Sequence, residues 1–177
     1  MSNEEYFNKQ CEVIEYLSSR DDRDHSAIKT VIRCAVREAC NFANDLPGYD
    51  NKKGATLVSR EALSQIQEGD FSHLVGEHVV PISVVLQKLR EAGKPRIHKI
   101  SEIIKKFSTR AVITKCEDML LRQAGLTTNM PKGWNGQDEL ARYKHVRIQT
   151  LEETYLDLYK RYNKSSKKDA RKARASS

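Results

Sequence analysis

The chain has 177 residues, of which 38% are apolar and 31% charged, and a formal net charge of +7. That length holds one core with an appendage, and the balance of apolar and charged residues fits a helical soluble protein rather than a sandwich or a disordered chain. No window approaches the about 18 consecutive apolar residues of a membrane span, and the start MSNEEYFNKQ lacks the basic and apolar stretches of a secretory signal, so a cytoplasmic protein with no membrane partner is expected.

Residues 4–18 place Phe7, Cys11, Ile14 and Leu17 on one stripe of an amphipathic helix. Residues 26–43 carry a fuller stripe, from Ile28 and Val31 through Ala35, Val36, Ala39 and Cys40 to Ala43, with Asp24 or Ser26 as the N-cap. NDLPGYDNKKG breaks that pattern as a loop, and a short helix begins after Ser59 and stops at Gly69. Cys11, Cys34, Cys40 and Cys116 show no C-x2-C or C-x2-H spacing, so buried free thiols are expected.

The run LVGEHVV is short and valine-rich, which predicts a strand from Leu74 to Val80 ended by Pro81. An acid and an imidazole, Glu77 and His78, stand side by side in it, after a turn that carries a solvated His73. In a regular strand they point to opposite sides, and a bulge or bend near Gly76 is needed to bring both toward one site. Ser83 is expected to cap a helix ending at Gly93; KISEIIKKF gives another helix, and RAVITK a second strand-like run.

Thr114 to Glu117, TKCE, matches a capping box that opens a helix running to Gly125. Glu117 thereby has a structural role, whereas Asp118 has no capping role of its own. The loop TTNMPKGWNGQD is pinned by Trp134, and Asp138 caps ELARYKHV, whose Arg142, Lys144, His145 and Arg147 form a basic face suited to nucleic acid. Thr150 to Glu153 reads as a second capping box, opening a last helix with Leu151, Tyr155, Leu158 and Tyr162 inward.

From Lys160 onward, eight basic residues stand against Asp169 alone, a surplus that equals the net charge of the whole chain. Low-complexity residues 164–177, with Lys164, Lys167, Lys168, Arg171 and Lys172, cannot bury apolar area and read as a disordered tail. Its natural partner is a polyanion such as DNA, since neutralising phosphates releases condensed counterions; a purely solubilising end is the alternative. The expected fold is therefore α+β: a mainly helical single domain over 1–163 with a small two-stranded element, followed by the tail.

The strand ending in EHVVPIS, followed downstream by AVITKCED, resembles the beta-beta-alpha metal, or HNH, endonuclease motif of bacterial or phage type, over residues 71–125. The resemblance implies that Glu77 binds a divalent metal, that His78 is the general base activating water, and that Asp118, or else Glu117, completes the site from the following helix. This sequence departs from the family pattern, because about 29 residues separate the strands where a short connection is usual. The helix also lacks the usual His or Asn unless Asn129 swings in from beyond its end. The chemistry suits these residue types: a neutral imidazole can generate the nucleophile, and carboxylates suit magnesium or manganese. The resemblance thus implies a metal-dependent DNA endonuclease, serving restriction, phage defence or DNA processing, and allows a homodimer. The alternatives are a non-catalytic nucleic-acid-binding protein that uses the tail and residues 142–147, a helical protein-interaction module, and a Glu77–His78 pair that is merely hydrogen-bonded at a strand end.

Overall fold

The computed structural model describes residues 1–43 and 52–163. Helices α1 (Asn3–Ser19) and α2 (Ser26–Phe42) bury the expected stripes, Phe7, Cys11 and Ile14 on the first and Ala35, Val36, Ala39 and Cys40 on the second. They pack with α4 (Ile82–Glu91) and α5 (Ile97–Phe107), which contribute Val84, Val85, Leu86, Leu89, Ile100, Ile104 and Phe107 to the same cluster. Burying each large aliphatic side chain contributes about 1.5–3 kcal/mol, so this four-helix layer is a principal source of stability. Within it Cys11 and Cys40 are buried free thiols, and burial pushes both up to about 12. Cys34 and Cys116 are free but exposed, contrary to the expectation of general burial, because each falls outside the buried stripe of its helix.

The second part of the domain is a sheet of four strands, where two strand-like runs were expected. Its order is β2-β3-β1-β4, with β1 at Leu57–Ser59, β2 at Leu74–His78, β3 at Arg110–Thr114 and β4 at Thr150–Leu151. β2 and β3 are antiparallel, β3 and β1 parallel, and β1 and β4 antiparallel. One face is covered by α3 (Arg60–Gln67) and a last helix, α8, over residues 155–163, through Ala62, Ile66, Tyr155 and Leu158 against Val58, Leu74 and Val112. The other face is covered by α6 (Lys115–Gln123) and α7 (Ala141–His145), through Leu121 and Tyr143, and by Ile148 just beyond α7, against Ala111 and Ile113. A mainly helical α+β domain is what the sequence predicts, and the number of strands is the correction.

Several local expectations shift for identifiable reasons. Thr150 pairs with Ser59 in β4 instead of opening a helix, and the Glu153 amide donates to Leu151; sheet pairing overrides the capping pattern. His25, rather than Asp24 or Ser26, caps α2 through its ring nitrogen. Pro81 is the N-cap of α4, and the Ser83 hydroxyl donates instead to the carbonyl of Thr128. Asp138 accepts from the Leu140 amide at 3.1 Å, but Leu140 is the N-cap of α7, so Asp138 stands two residues before the cap it was expected to be. The tail residues Lys164, Lys167, Lys168, Arg171 and Lys172, and most of the NDLPGYDNKKG loop, lie outside the described residues.

Candidate functional site

The approximately 30 residues between the strands fold as α4 and α5 and return the chain so that β3 lies against β2. The pairing is one to one from Leu74↔Thr114 to His78↔Arg110, with Glu77 opposite Ala111. No bulge interrupts it at Gly76, so the side chains alternate, and Glu77 and His78 reach opposite sides of the strand. Their surroundings agree with that alternation.

Glu77 faces α6 and α7. Its Oε1 accepts from the Tyr143 hydroxyl at 2.5 Å and lies 3.0 Å from a guanidinium nitrogen of Arg142. Arg142 is 1% exposed. It donates through Nε to the carbonyl of Val79 at 2.6 Å, through Nη1 to that of Leu126 at 3.0 Å, and through Nη2 to that of His78. The expected place for Arg142 on an exposed DNA-binding face is therefore corrected: it is a buried clasp closing the end of β2. Burial is the largest influence on the Glu77 carboxyl and raises it above its ordinary value; Arg142 and Tyr143 pull it down, and the charge of Asp118 adds to the rise. Burial and the neighbouring Glu77 raise the Tyr143 hydroxyl well above its ordinary value.

Helix α6 carries Asp118 in its first turn and packs on the Glu77 side of the sheet through Leu121 beside Val75. Asp118 also has a structural partner that the sequence reading did not supply, Arg122 one turn on at 2.7 Å. Glu117 makes the expected capping box: its Oε2 accepts from the Thr114 amide at 2.8 Å while the Thr114 hydroxyl accepts from the Glu117 amide. The same oxygen accepts from the Ser59 hydroxyl at 2.6 Å, and Ser59 in turn caps α3. Asn129 donates to the Gly125 carbonyl and to the Thr128 hydroxyl.

His78 faces the other way, toward α2. It is 9% exposed, and its Nε2 is buried without a hydrogen-bond partner. Burial is the main reason that its pKa is pushed down to about 4, with Arg110, Arg37 and Arg142 adding to the effect. The imidazole is thus neutral at ordinary pH, and it takes up a proton less readily than a free imidazole does.

Lys144, His145 and Arg147 are exposed as expected, with Lys144 paired to Asp138 at 2.8 Å. His73 is exposed as well. Tyr143 is the partner of Glu77 that the sequence reading missed; no local pattern reveals it, because 66 residues separate the two. Among the described residues no three His, Cys, Asp or Glu side chains converge as a metal cage. Glu77 and Asp118 each already have a cationic partner, Arg142 and Arg122 respectively. No helix among the described residues is long and apolar enough to cross a membrane. Comparisons with protein-family models, with curated proteins and with solved structures find no match to this chain.

Proposed function

We propose that the chain is an endonuclease that hydrolyses DNA phosphodiesters at the β2–β3–α6 element. The observation that carries this reading is topological. Despite the long insertion, the strand bearing Glu77 and His78 pairs antiparallel with β3, and the helix that follows β3 directly carries Asp118 in its first turn and packs on the Glu77 side of the sheet. Glu77 and Asp118 are the residues that would hold magnesium or manganese, and a bound ion supplies electrostatic stabilisation to the phosphate. Arg142 and Tyr143 fix the Glu77 carboxylate through Oε1 and so orient it. His78, neutral and with Nε2 unpartnered, takes the proton of the attacking water. With no bulge at Gly76 the acid and the imidazole stay on opposite sides of β2, so under this reading they act from the two sides of the strand end. The tail, with Lys144, His145 and Arg147, adds sequence-independent attraction to the strand.

The test is nicking of supercoiled plasmid with magnesium, with manganese, and with chelator. Wild-type protein is expected to nick with either ion and to stop in chelator. His78→Ala lowers the rate by about 100-fold or more while keeping DNA affinity, and Asp118→Asn is partly restored by higher manganese, as expected when a ligand is weakened. A folded wild-type protein that nicks no nucleic acid with any of these ions removes the hydrolase reading.

A second reading, a non-catalytic nucleic-acid-binding protein, is favoured by one specific contact: the Glu77 carboxylate is already matched to the buried Arg142. Under that reading, Lys144→Ala/Arg147→Ala weakens DNA binding and no variant at residues 77, 78 or 118 affects anything but stability.

A further inference from the structure

Beside the end of β2 lies a cleft of about 370 Å³ whose polar lining includes Arg33, Arg37, His78, Ser83, Thr127 and Thr128. Arg33 and Arg37 are one turn apart on α2, so their guanidinium groups share a face. Both are exposed, and neither pairs with a carboxylate among the described residues. The remaining charged members of the lining are Glu77 and Arg142, which pair with each other, so among the described residues the cleft carries two cations without counter-charges. The hydroxyl of Thr128 accepts from Asn129 and keeps its own proton to donate. Ser83 donates to the Thr128 carbonyl and ties that wall to α4. Into this setting His78 brings a buried ring nitrogen with no partner among the described residues; as the proposed base it is kept for the attacking water, and the charge and donors of the cleft come from the arginines and Thr128.

We infer that this cleft is a phosphate site, and that the phosphate it holds is a backbone phosphodiester of a nucleic-acid strand. Two planar guanidinium groups on one helix face, with the Thr128 hydroxyl in the same lining, match phosphate oxygens in charge and donor type. His78 connects the cleft to the strand end, so the phosphate held here lies next to the phosphodiester at the candidate hydrolytic centre. The inference rests on the nucleic-acid reading above and adds residues that the sequence did not nominate, Arg33 and Arg37.

The test measures binding in chelator, where no metal-dependent cleavage occurs, so its failure and the failure of the hydrolase reading are separate events. Full-length protein is titrated with a short single-stranded oligonucleotide lacking terminal phosphates, and separately with inorganic phosphate. Arg33→Ala/Arg37→Ala is expected to weaken oligonucleotide binding by about tenfold or more and to flatten the dependence of log affinity on log salt by about 1. A charge-matched control, Lys105→Ala/Lys106→Ala, changes affinity much less. Arg33→Lys/Arg37→Lys keeps the salt dependence but recovers only part of the affinity, since an ammonium lacks the two-pronged geometry. Both arginines are exposed, so thermal melting of the variants stays with the wild type and a loss of binding is not a loss of fold. Three results overturn the inference: unchanged oligonucleotide affinity in the alanine pair, an equal loss in the lysine control, or an effect confined to inorganic phosphate.

Discussion

At the scale of single residues, His78 sets a measurable pH dependence. Its pKa in the folded chain is pushed down to about 4, chiefly by burial, whereas an unfolded histidine titrates near 6.5. Between those values the unfolded chain takes up a proton that the folded chain does not, so stability falls as pH falls through the window and is fully present above it. The loss is on the order of 3 kcal/mol across the whole window. We therefore expect the wild type to lose more melting temperature between pH 7.5 and pH 5 than His78→Gln, which cannot take up that proton. Parallel pH curves for the two proteins are incompatible with a buried, neutral imidazole. Gly54 marks a second such point: a Cβ built there would stand 1.6 Å from Nη2 of Arg110, a side chain that is 2% exposed. Glycine at this turn is thus the space in which a buried guanidinium lies.

At the scale of elements, Glu117 ties two helix starts together. One carboxylate oxygen accepts from the Thr114 amide, which belongs to the cap of α6, and from the Ser59 hydroxyl, which caps α3. A glutamine carbonyl can take the place of that single oxygen, so Glu117→Gln is expected to keep most of the stability and most of any nicking activity. Glu117→Ala costs about 1–2 kcal/mol, the scale of a lost cap, as read by urea denaturation. Abolished nicking in a folded Glu117→Gln protein would move the metal-ligand role from Asp118 to Glu117. The capping box was legible because its partners are three residues apart in sequence. Arg142 was misread for the opposite reason. Its partners lie 16, 63 and 64 residues away, and an arginine flanked by Tyr143, Lys144 and His145 looks locally like part of a solvated basic face. The strands β1 and β4, three and two residues long, are too short to display an alternation; β1 exists because the edge of β3 offers it a partner, and β4 because β1 does.

At the scale of the whole molecule, charge and core are separate. The surplus of basic residues from Lys160 onward equals the net charge of +7, while the buried clusters belong to α1–α5, the sheet and α6–α8. Deleting residues 164–177 is expected to leave the melting temperature nearly unchanged, to weaken DNA binding and to flatten its salt dependence, because fewer phosphates are then neutralised. An unchanged salt slope would take the tail off the binding surface. The helical layer was legible from its 3.6-residue periodicity, and so was the strand that carries Glu77 and His78. How two faces of that strand acquire different chemistry was not, because it depends on α2 standing over one side and α7 over the other.

The clasp formed by Arg142 also orders events in time. Its contacts to His78 and Val79 close loops of more than 60 residues, and long closures of this kind form late, after local helices and turns have compacted the chain. During synthesis at about 5–20 residues per second, the end of β2 waits about 3–13 s for its guanidinium to be made. Until then Glu77 has neither its cation nor its Tyr143 hydroxyl, and the carbonyls of His78 and Val79 remain open to water. The end of β2 thus takes its folded form only after residue 142 has been made, long after the strand itself.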